Sequence, residues 1–196
     1  MSRTQSFDRD AVVHAARTLF WQCGYEDASI PALEHATGLS RSSIYNTFGS
    51  KRGLFDAAVQ SYLDDIVRPR LRPLQTDPVD RDAILAYLTG LRDAFRRRDS
   101  MPAANGCLLI NAAGASIAHD EQIARTIAEY RTELHTAISR GIAAHEPEGD
   151  PADRARLVDA VTGLVVAAFA LARIDHAQAA DGLTTAIRLV EEGMRR

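Results

Sequence analysis

Apolar residues recur every three or four positions along most of the chain, the spacing that places them on one face of an α-helix. The first such run comprises Val12, Ala16, Leu19 and Cys23. Gly24 follows it and is expected to end this first helix. Three more runs follow, each preceded by a serine that can cap a helix N-terminus: Ser29, Ser40 and Ser50. The pattern therefore predicts four helices in the first 68 residues, the last of them ending before Pro69.

The remainder of the chain has the same helical spacing. Residues 70–79 contain two prolines and are predicted to form a loop. Five further runs predict helices at about 84–98, 106–117, 123–142, 151–174 and 183–194. The fifth helix is expected to end at the basic cluster Arg96, Arg97 and Arg98, where cations suit the helix dipole. Since no segment alternates apolar and polar residues as a strand does, the fold is predicted to be all-α, with about nine helices.

Composition narrows the class of protein. The chain has 196 residues and is 46% hydrophobic, which is enough to bury a hydrophobic core. Its net charge is −3, so the chain has no overall basic character. Residues 1–10 contain no apolar run, and the most apolar stretch, residues 160–172, is shorter than the ~20 residues that span a bilayer. We therefore expect a cytoplasmic protein with no membrane segment.

Residues typical of catalysis are not arranged for it. The six histidines lie at positions 14, 35, 119, 135, 145 and 176, never three or four apart, so no two share a helix face that could bind a metal. No glycine-rich phosphate loop is present, and Gly114-Ala115-Ser116 lacks the second glycine of a nucleophile elbow. We expect no enzymatic activity, no metal site and no cofactor.

The second and third helices are the informative feature. They are short and are separated by Thr37-Gly38-Leu39-Ser40, the tight glycine turn of a helix-turn-helix. The second helix of that motif enters the DNA major groove with its N-terminal residues at the base edges. Here that helix opens with four hydrogen-bond donors, Ser40, Arg41, Ser42 and Ser43.

Helical spacing separates the two faces of this third helix. Ile44 and Phe48 are one turn apart and are expected to face the core. Arg41, Ser42, Tyr45 and Asn46 are expected to face outward. Residues 38–52 contain three cations and no anion, so the patch is basic although the chain is acidic. Lys51, the single lysine of the chain, lies at the N-terminus of the fourth helix, where free amides and the helix dipole favour phosphate.

In combination, these residues resemble the DNA-binding domain of the TetR family of bacterial regulators. The likeness runs from Phe7 to Phe55, with Glu34 and Pro31 departing from the usual pattern. The matching residues are Ala16, Leu19, Phe20, Gly24, Tyr25, Ser29, Ile30, Leu33, Gly38, Leu39, Ser40, Ile44, Tyr45, Phe48, Lys51, Leu54 and Phe55. The resemblance implies a DNA-binding domain at residues 1–53 and a regulatory domain at residues 54–196.

The family resemblance also implies a function: a ligand-responsive homodimer that represses transcription until a small, largely apolar effector releases it from double-stranded operator DNA. The DNA-binding residues would be Ser29, Ser40, Arg41, Ser42, Ser43, Tyr45, Asn46 and Lys51. The effector-binding residues would be Tyr62, Tyr87, Leu91, Phe95, Cys107, Asn111, Tyr130, Leu134 and Phe169. The dimer interface would comprise Val161, Leu164, Val165, Ala168, Leu183, Ile187 and Val190.

Three alternatives stay open at this point. Cys107 lies at the start of the sixth helix, where the dipole lowers a thiol's pKa, so it could sense oxidants or electrophiles. An all-α enzyme or small-molecule carrier could retain the helix-turn-helix as a scaffold. A protein that coats DNA regardless of sequence is the third alternative, and the overall acidity of the chain argues against it.

Overall fold

The computed structural model describes residues 7–97 and 100–193, and this part of the chain is helical without a strand. The predictions for residues 1–6, Arg98 and Met194 lie outside the described residues. The helices are α1 (Arg9–Asp27), α2 (Ile30–Thr37), α3 (Arg41–Phe48), α4 (Lys51–Tyr62), α5 (Arg68–Leu71), α6 (Ala83–Arg97), α7 (Met101–Asn105), α8 (Leu108–Ala113), α9 (Glu121–His145), α10 (Pro151–Leu171) and α11 (His176–Gly193). The all-α class is confirmed.

Side-chain caps at the helix N-termini determine where α2 and α3 begin. The side chain of Ser29 accepts from the Ala32 amide at the start of α2, and that of Ser40 accepts from the Ser43 amide at the start of α3. Between them Gly38 has a φ of +70°, a left-handed conformation that glycine adopts without a steric penalty. The predicted caps and the tight turn are therefore confirmed.

The fourth predicted helix is longer than its sequence pattern indicated. After α4 the chain continues through a π-helical turn, Leu63–Val67, into α5 and then into a 3₁₀ turn, Arg72–Leu74. The prediction that the helix ends before Pro69, and that residues 70–79 are all loop, is wrong. Pro69 is tolerated because it lies in the first turn of α5, where its missing amide costs little.

The segment between α6 and α9 is apolar but broken. Residues 101–119 have the length and hydropathy of a membrane span. In the structure they form α7, α8 and a 3₁₀ turn, Ser116–His119, interrupted at Gly106 and Gly114, so no continuous helix crosses this stretch. The predicted sixth helix at 106–117 is therefore shorter, and α7 is an addition that the apolar spacing did not indicate.

Most of the predicted dimer-interface side chains are not available to a partner. Six of the seven, all except Leu164, are buried within the protomer itself. The apolar stripe that they form packs α10 and α11 against each other and α11 against α6. The most apolar residues of α10 and α11 therefore face the protomer's own core, so six of the predicted interface side chains lie where a partner would not contact them. The six residues are Val161, Val165, Ala168, Leu183, Ile187 and Val190.

Candidate nucleic-acid interface and regulatory cavity

One face of α3 is open to solvent and carries polar side chains. Arg41, Ser42, Tyr45 and Asn46 are exposed, whereas Ile44 on the opposite face is fully buried. The Arg41 guanidinium lies over the Tyr45 ring, 5.5 Å from its centroid, a cation–π contact that holds both groups on the outer surface. The sequence-predicted division of this helix into an inner and an outer face matches the structure.

The serines around α3 serve mainly to order its N-terminus. The Ser40 hydroxyl lies 3.0 Å from the hydroxyls of both Ser42 and Ser43, in addition to capping the helix. Ser29 caps α2 and is exposed, while Ser43 is half-buried. Because a capping hydroxyl accepts the backbone N–H through an oxygen lone pair, its own O–H can rotate and donate to a phosphate or base without breaking the helix.

Lys51 occupies the first position of α4, close to the end of α1. Its Nζ donates to the Glu26 carbonyl at 3.2 Å and lies 4.5 Å from the centroid of the Tyr25 ring. These contacts keep the ammonium at the surface beside the free amides of the α4 N-terminus. The sequence predicted its position on the helix, but not its tether to α1.

Glu34 was not predicted to belong to this surface. Its Oε1 accepts from the Arg41 amide at 2.6 Å, so a carboxylate covers the positive end of α3. Glu34 also shares a shallow concave surface with Ser40, Arg41 and Tyr45. In the sequence Glu34 stands out only because it departs from the family pattern. Its contact with Arg41, seven residues later, depends on the geometry of the turn between α2 and α3.

A small cavity lies among α4, α6, α9 and α10. Its volume is about 20 Å³, room for about one water molecule, so an effector would have to enlarge it. Six of the nine predicted effector-binding residues line it: Tyr62, Tyr87, Leu91, Tyr130, Leu134 and Phe169. The sequence missed Ile66, Val67, Arg70 and Leu71, which reach the wall through the π turn and α5, and Pro102 of α7.

The other three predicted residues lie outside the wall. Phe95 is buried behind Phe169, with ring centroids 5.8 Å apart. The Asn111 amide is not part of the cavity, because its Nδ2 donates to the Asn105 carbonyl at 2.7 Å and closes the end of α7. The Cys107 thiol is fully buried and donates to the Tyr130 hydroxyl at 3.5 Å. Burial of that thiol argues against direct attack by reagents in solvent.

Burial keeps the tyrosine hydroxyls of the cavity neutral. Removal from water raises the pKa of Tyr62, Tyr87 and Tyr130 well above the usual value, because a phenolate would be poorly solvated there. Each hydroxyl, like that of an unperturbed tyrosine, is protonated at physiological pH and can donate a hydrogen bond to a ligand. The sequence predicted these tyrosines as polar groups of the cavity.

Polar contacts join the helix-turn-helix region to the rest of the chain. Trp21 Nε1 donates to the Gly106 carbonyl at 3.1 Å inside the core, and the Trp21 ring meets the Tyr62 ring edge-on at a centroid distance of 4.8 Å. Arg52 pairs with Asp120 at 2.6 Å at the start of α9. The hydrogen bond from Arg52 lowers the pKa of Asp120 to about 2, so this pair persists down to strongly acidic pH.

Comparisons with known proteins agree with this architecture. Residues 12–58 match the family profile described as bacterial regulatory proteins, tetR family. An uncharacterized HTH-type transcriptional regulator, YezE of Bacillus subtilis, is 34% identical over 76% of this chain and 76% of its own length. The HTH-type transcriptional repressor ComR of Escherichia coli is 36% identical over 56% of this chain and 51% of its own.

A solved structure is similar over nearly the whole chain. A cysteine mutant of the TetR family transcriptional regulator CifR, complexed with 26-base-pair operator DNA, has a TM-score of 0.76 and 28% identity, covering 95% of this chain and 98% of its own. The likeness therefore extends beyond the helix-turn-helix to the helices that follow it. This chain belongs to the TetR family of DNA-binding transcriptional regulators.

Proposed function

We propose that this protein is a homodimeric repressor that binds a pseudo-palindromic operator through α3 and leaves it when a small, largely apolar effector occupies the cavity. The observation that carries the proposal is the outer face of α3, with Arg41, Ser42, Tyr45 and Asn46 exposed on a helix-turn-helix scaffold. The relative ComR is a repressor, and CifR has been solved with its operator. A regulator of this kind acts on DNA in the cytoplasm.

The proposed roles divide the DNA-binding residues into two groups. Ser29, Ser40, Ser43 and Lys51 lie at helix N-termini or beside them, where contacts to phosphate position the protein. Arg41, Ser42 and Asn46 lie on the outer face of α3, where they can reach base edges, and Tyr45 flanks them. Two copies of α3 would then read two half-sites about 34–36 Å apart, one helical turn of DNA.

The dimer is proposed to form through the exposed side of α10 and not through its buried stripe. Small residues repeat along this side at helical spacing, and Ile174 just beyond the helix is 81% exposed. Small side chains allow two helices to approach closely, and an apolar strip open to water is stabilised by a second copy. The strip comprises Ala160, Gly163, Ala167, Ala170 and Ile174.

The effector is proposed to act through the contact between Tyr62 and Trp21. Tyr62 lines the cavity, and Trp21 belongs to α1, which packs against α4 within the DNA-binding region. A ligand that enlarges the cavity must displace its wall, and this displacement shifts α1 and α4 together. Operator affinity then falls by the ratio of the ligand's affinities for the two arrangements.

Lys51→Ala and Arg41→Ala are expected to affect DNA binding in different ways. Lys51→Ala should weaken binding to every duplex by the same factor and reduce the slope of log affinity against log salt by about one, because one phosphate contact is lost.

Arg41→Ala should instead relax the preference for one base at a single operator position and weaken binding to the operator by ~1–3 kcal/mol. Fluorescence anisotropy with operator and scrambled duplexes measures both effects.

Arg125→Ala is the matched control for these variants, since Arg125 is an exposed cation on α9, remote from α3 in the sequence and on a different helix. It should bind operator like the wild type at every salt concentration. Unchanged operator affinity and salt slope in Lys51→Ala would remove Lys51 from the interface.

A further inference from the structure

The wall of the regulatory cavity carries a single formal charge. Among the described residues that line it, Arg70 is cationic and the others are aromatic or aliphatic, with no aspartate or glutamate. An effector with a positive charge would therefore meet a like charge and no counter-charge. An anion would be attracted to Arg70, which is itself exposed to solvent at the edge of the cavity.

Most of the N–H donors of Arg70 make no hydrogen bond to another described residue. Its Nη1 donates to the Ile66 carbonyl at 3.2 Å, and no carboxylate in the described part of the chain lies within ion-pair distance of it. Its neighbour Arg68, by contrast, is paired with Asp64 and lies 3.7 Å from Glu133. A guanidinium offers five N–H donors in a planar fork that fits a carboxylate, so most of the Arg70 fork is available to a ligand.

Tyr87 supplies a second donor on the same wall. The structure shows no hydrogen bond from its hydroxyl to any other described residue, and the side chain is half-buried on the cavity wall. The hydroxyls of Tyr62 and Tyr130, in contrast, both interact with the Cys107 thiol. A tyrosine hydroxyl with no partner in the described part of the chain can donate its proton to a ligand oxygen.

We propose that the effector is a small organic anion, an apolar or aromatic body bearing one carboxylate, with the body among the tyrosines and the carboxylate on Arg70 and Tyr87. This inference rests on the proposed function, because it names the chemical class that the cavity of a regulator would sense. A neutral ligand of the same shape would leave the Arg70 fork and the Tyr87 hydroxyl without this acceptor.

The position of Arg70 also links the anion to DNA release. The π turn Leu63–Val67 joins Tyr62 to α5 and contributes Ile66 and Val67 to the cavity wall. Its hydrogen bonding is wider than that of an α-helix, so it is a place where the wall can rearrange. An anion that draws Arg70 inward would move this turn, and with it Tyr62 and its contact with Trp21.

The test compares matched ligands on one skeleton without DNA. Probes are carboxylate, primary amide and ammonium versions of skeletons with four to ten carbons, among them benzoate, benzamide and benzylammonium. Thermal unfolding and calorimetry should show that at least one carboxylate binds at least about tenfold more tightly than its amide, and that its ammonium counterpart does not bind. Equal binding of carboxylate and amide across the series, or preferred binding of an ammonium, would overturn the proposal.

Variants at Arg70 assign the effect to this residue. Arg70→Gln should lower the affinity for the carboxylate at least about tenfold, to the level of the affinity for the amide. Arg70→Lys should retain only part of the affinity for the carboxylate, because lysine keeps the positive charge but lacks the planar fork of donors. Arg72→Gln, which removes an exposed arginine outside the wall, should bind like the wild type. Full carboxylate affinity in Arg70→Gln would overturn the proposal.

Operator binding is measured separately, so the two failures are distinguishable. If operator binding is intact and carboxylates are not preferred, the effector class is wrong and the DNA-binding function stands. If no operator is bound while carboxylates are preferred, the proposed function is wrong and the anion site stands.

Discussion

Gly106→Ala is expected to destabilise the protein by ~2–6 kcal/mol, or to prevent folding. A Cβ atom at this position would lie 2.2 Å from the Phe169 carbonyl oxygen of α10, a contact with rigid backbone that only movement of a helix can relieve. The backbone also has a φ of +68° and a ψ of −138°, a combination that costs a residue with a side chain ~1–3 kcal/mol by itself. Overpacking adds ~1–3 kcal/mol.

Gly106→Ala should also impair DNA binding in the fraction of the variant that folds. The Gly106 carbonyl accepts from Trp21 Nε1, so displacement of this residue disturbs the contact between α1 and the regulatory helices. Urea unfolding measures the stability. Gly90→Ala is the control, because Gly90 lies within α6, is exposed and has open space at its Cβ position. It should stabilise the protein by ~0.5–1 kcal/mol. If Gly106→Ala unfolds at the same urea concentration as the wild type, residue 106 does not lie against the Phe169 carbonyl as described.

Ala167→Glu is expected to separate the dimer and to lower operator affinity by about two to four orders of magnitude. Ala167 lies on the exposed strip of α10, and the twofold axis of a homodimer would bring a substituted glutamate near its twin. Burying these carboxylates without a partner costs several kcal/mol. Loss of the second half-site removes the gain of ~10²–10⁴ that comes from linking two binding modules.

Sedimentation velocity and anisotropy test this expectation together, with circular dichroism to show that the helices remain. Ala128→Glu places the same charge on an exposed alanine of α9 and should leave both the dimer and its operator affinity unchanged. Val165 and Ala168 are unsuitable sites for this test, because both are buried within the protomer and a charge there would disrupt its own core. A dimeric Ala167→Glu protein with normal operator affinity would contradict the proposed interface.

The DNA-binding region was predictable because local chemistry determines it. Ser40 caps α3, Gly38 makes the turn before it, and the spacing of Ile44 selects the inner face, so each inference rests on neighbours in the sequence. Glu34 was missed because its contact with the Arg41 amide depends on the angle between α2 and α3. Apolar periodicity alone does not give that angle.

The helices after α4 were predicted less completely because their features depend on packing between elements that are distant in the sequence. In α10, apolar residues mark both the side facing α11 and the open side, and alanine and glycine suit either environment. The sequence therefore favours Val165 as an interface residue, whereas the structure buries Val165 within the protomer and leaves Ala167 exposed. Arg70 was assigned to a loop because Pro69 was interpreted as the end of a helix. The π turn that carries Arg70 to the cavity left no periodic signal.

The central claim is that the outer face of α3 reads a specific DNA sequence, and selection of bound duplexes from a random pool tests it most directly. The wild type should enrich one palindrome whose half-sites are centred about one helical turn apart, ~10 base pairs. Asn46→Ala, which removes an exposed amide from that face, should lose the preference at one position in each half-site. Enrichment of no common sequence, or of the same sequence by a protein carrying alanine at positions 41, 42 and 46, would contradict the claim.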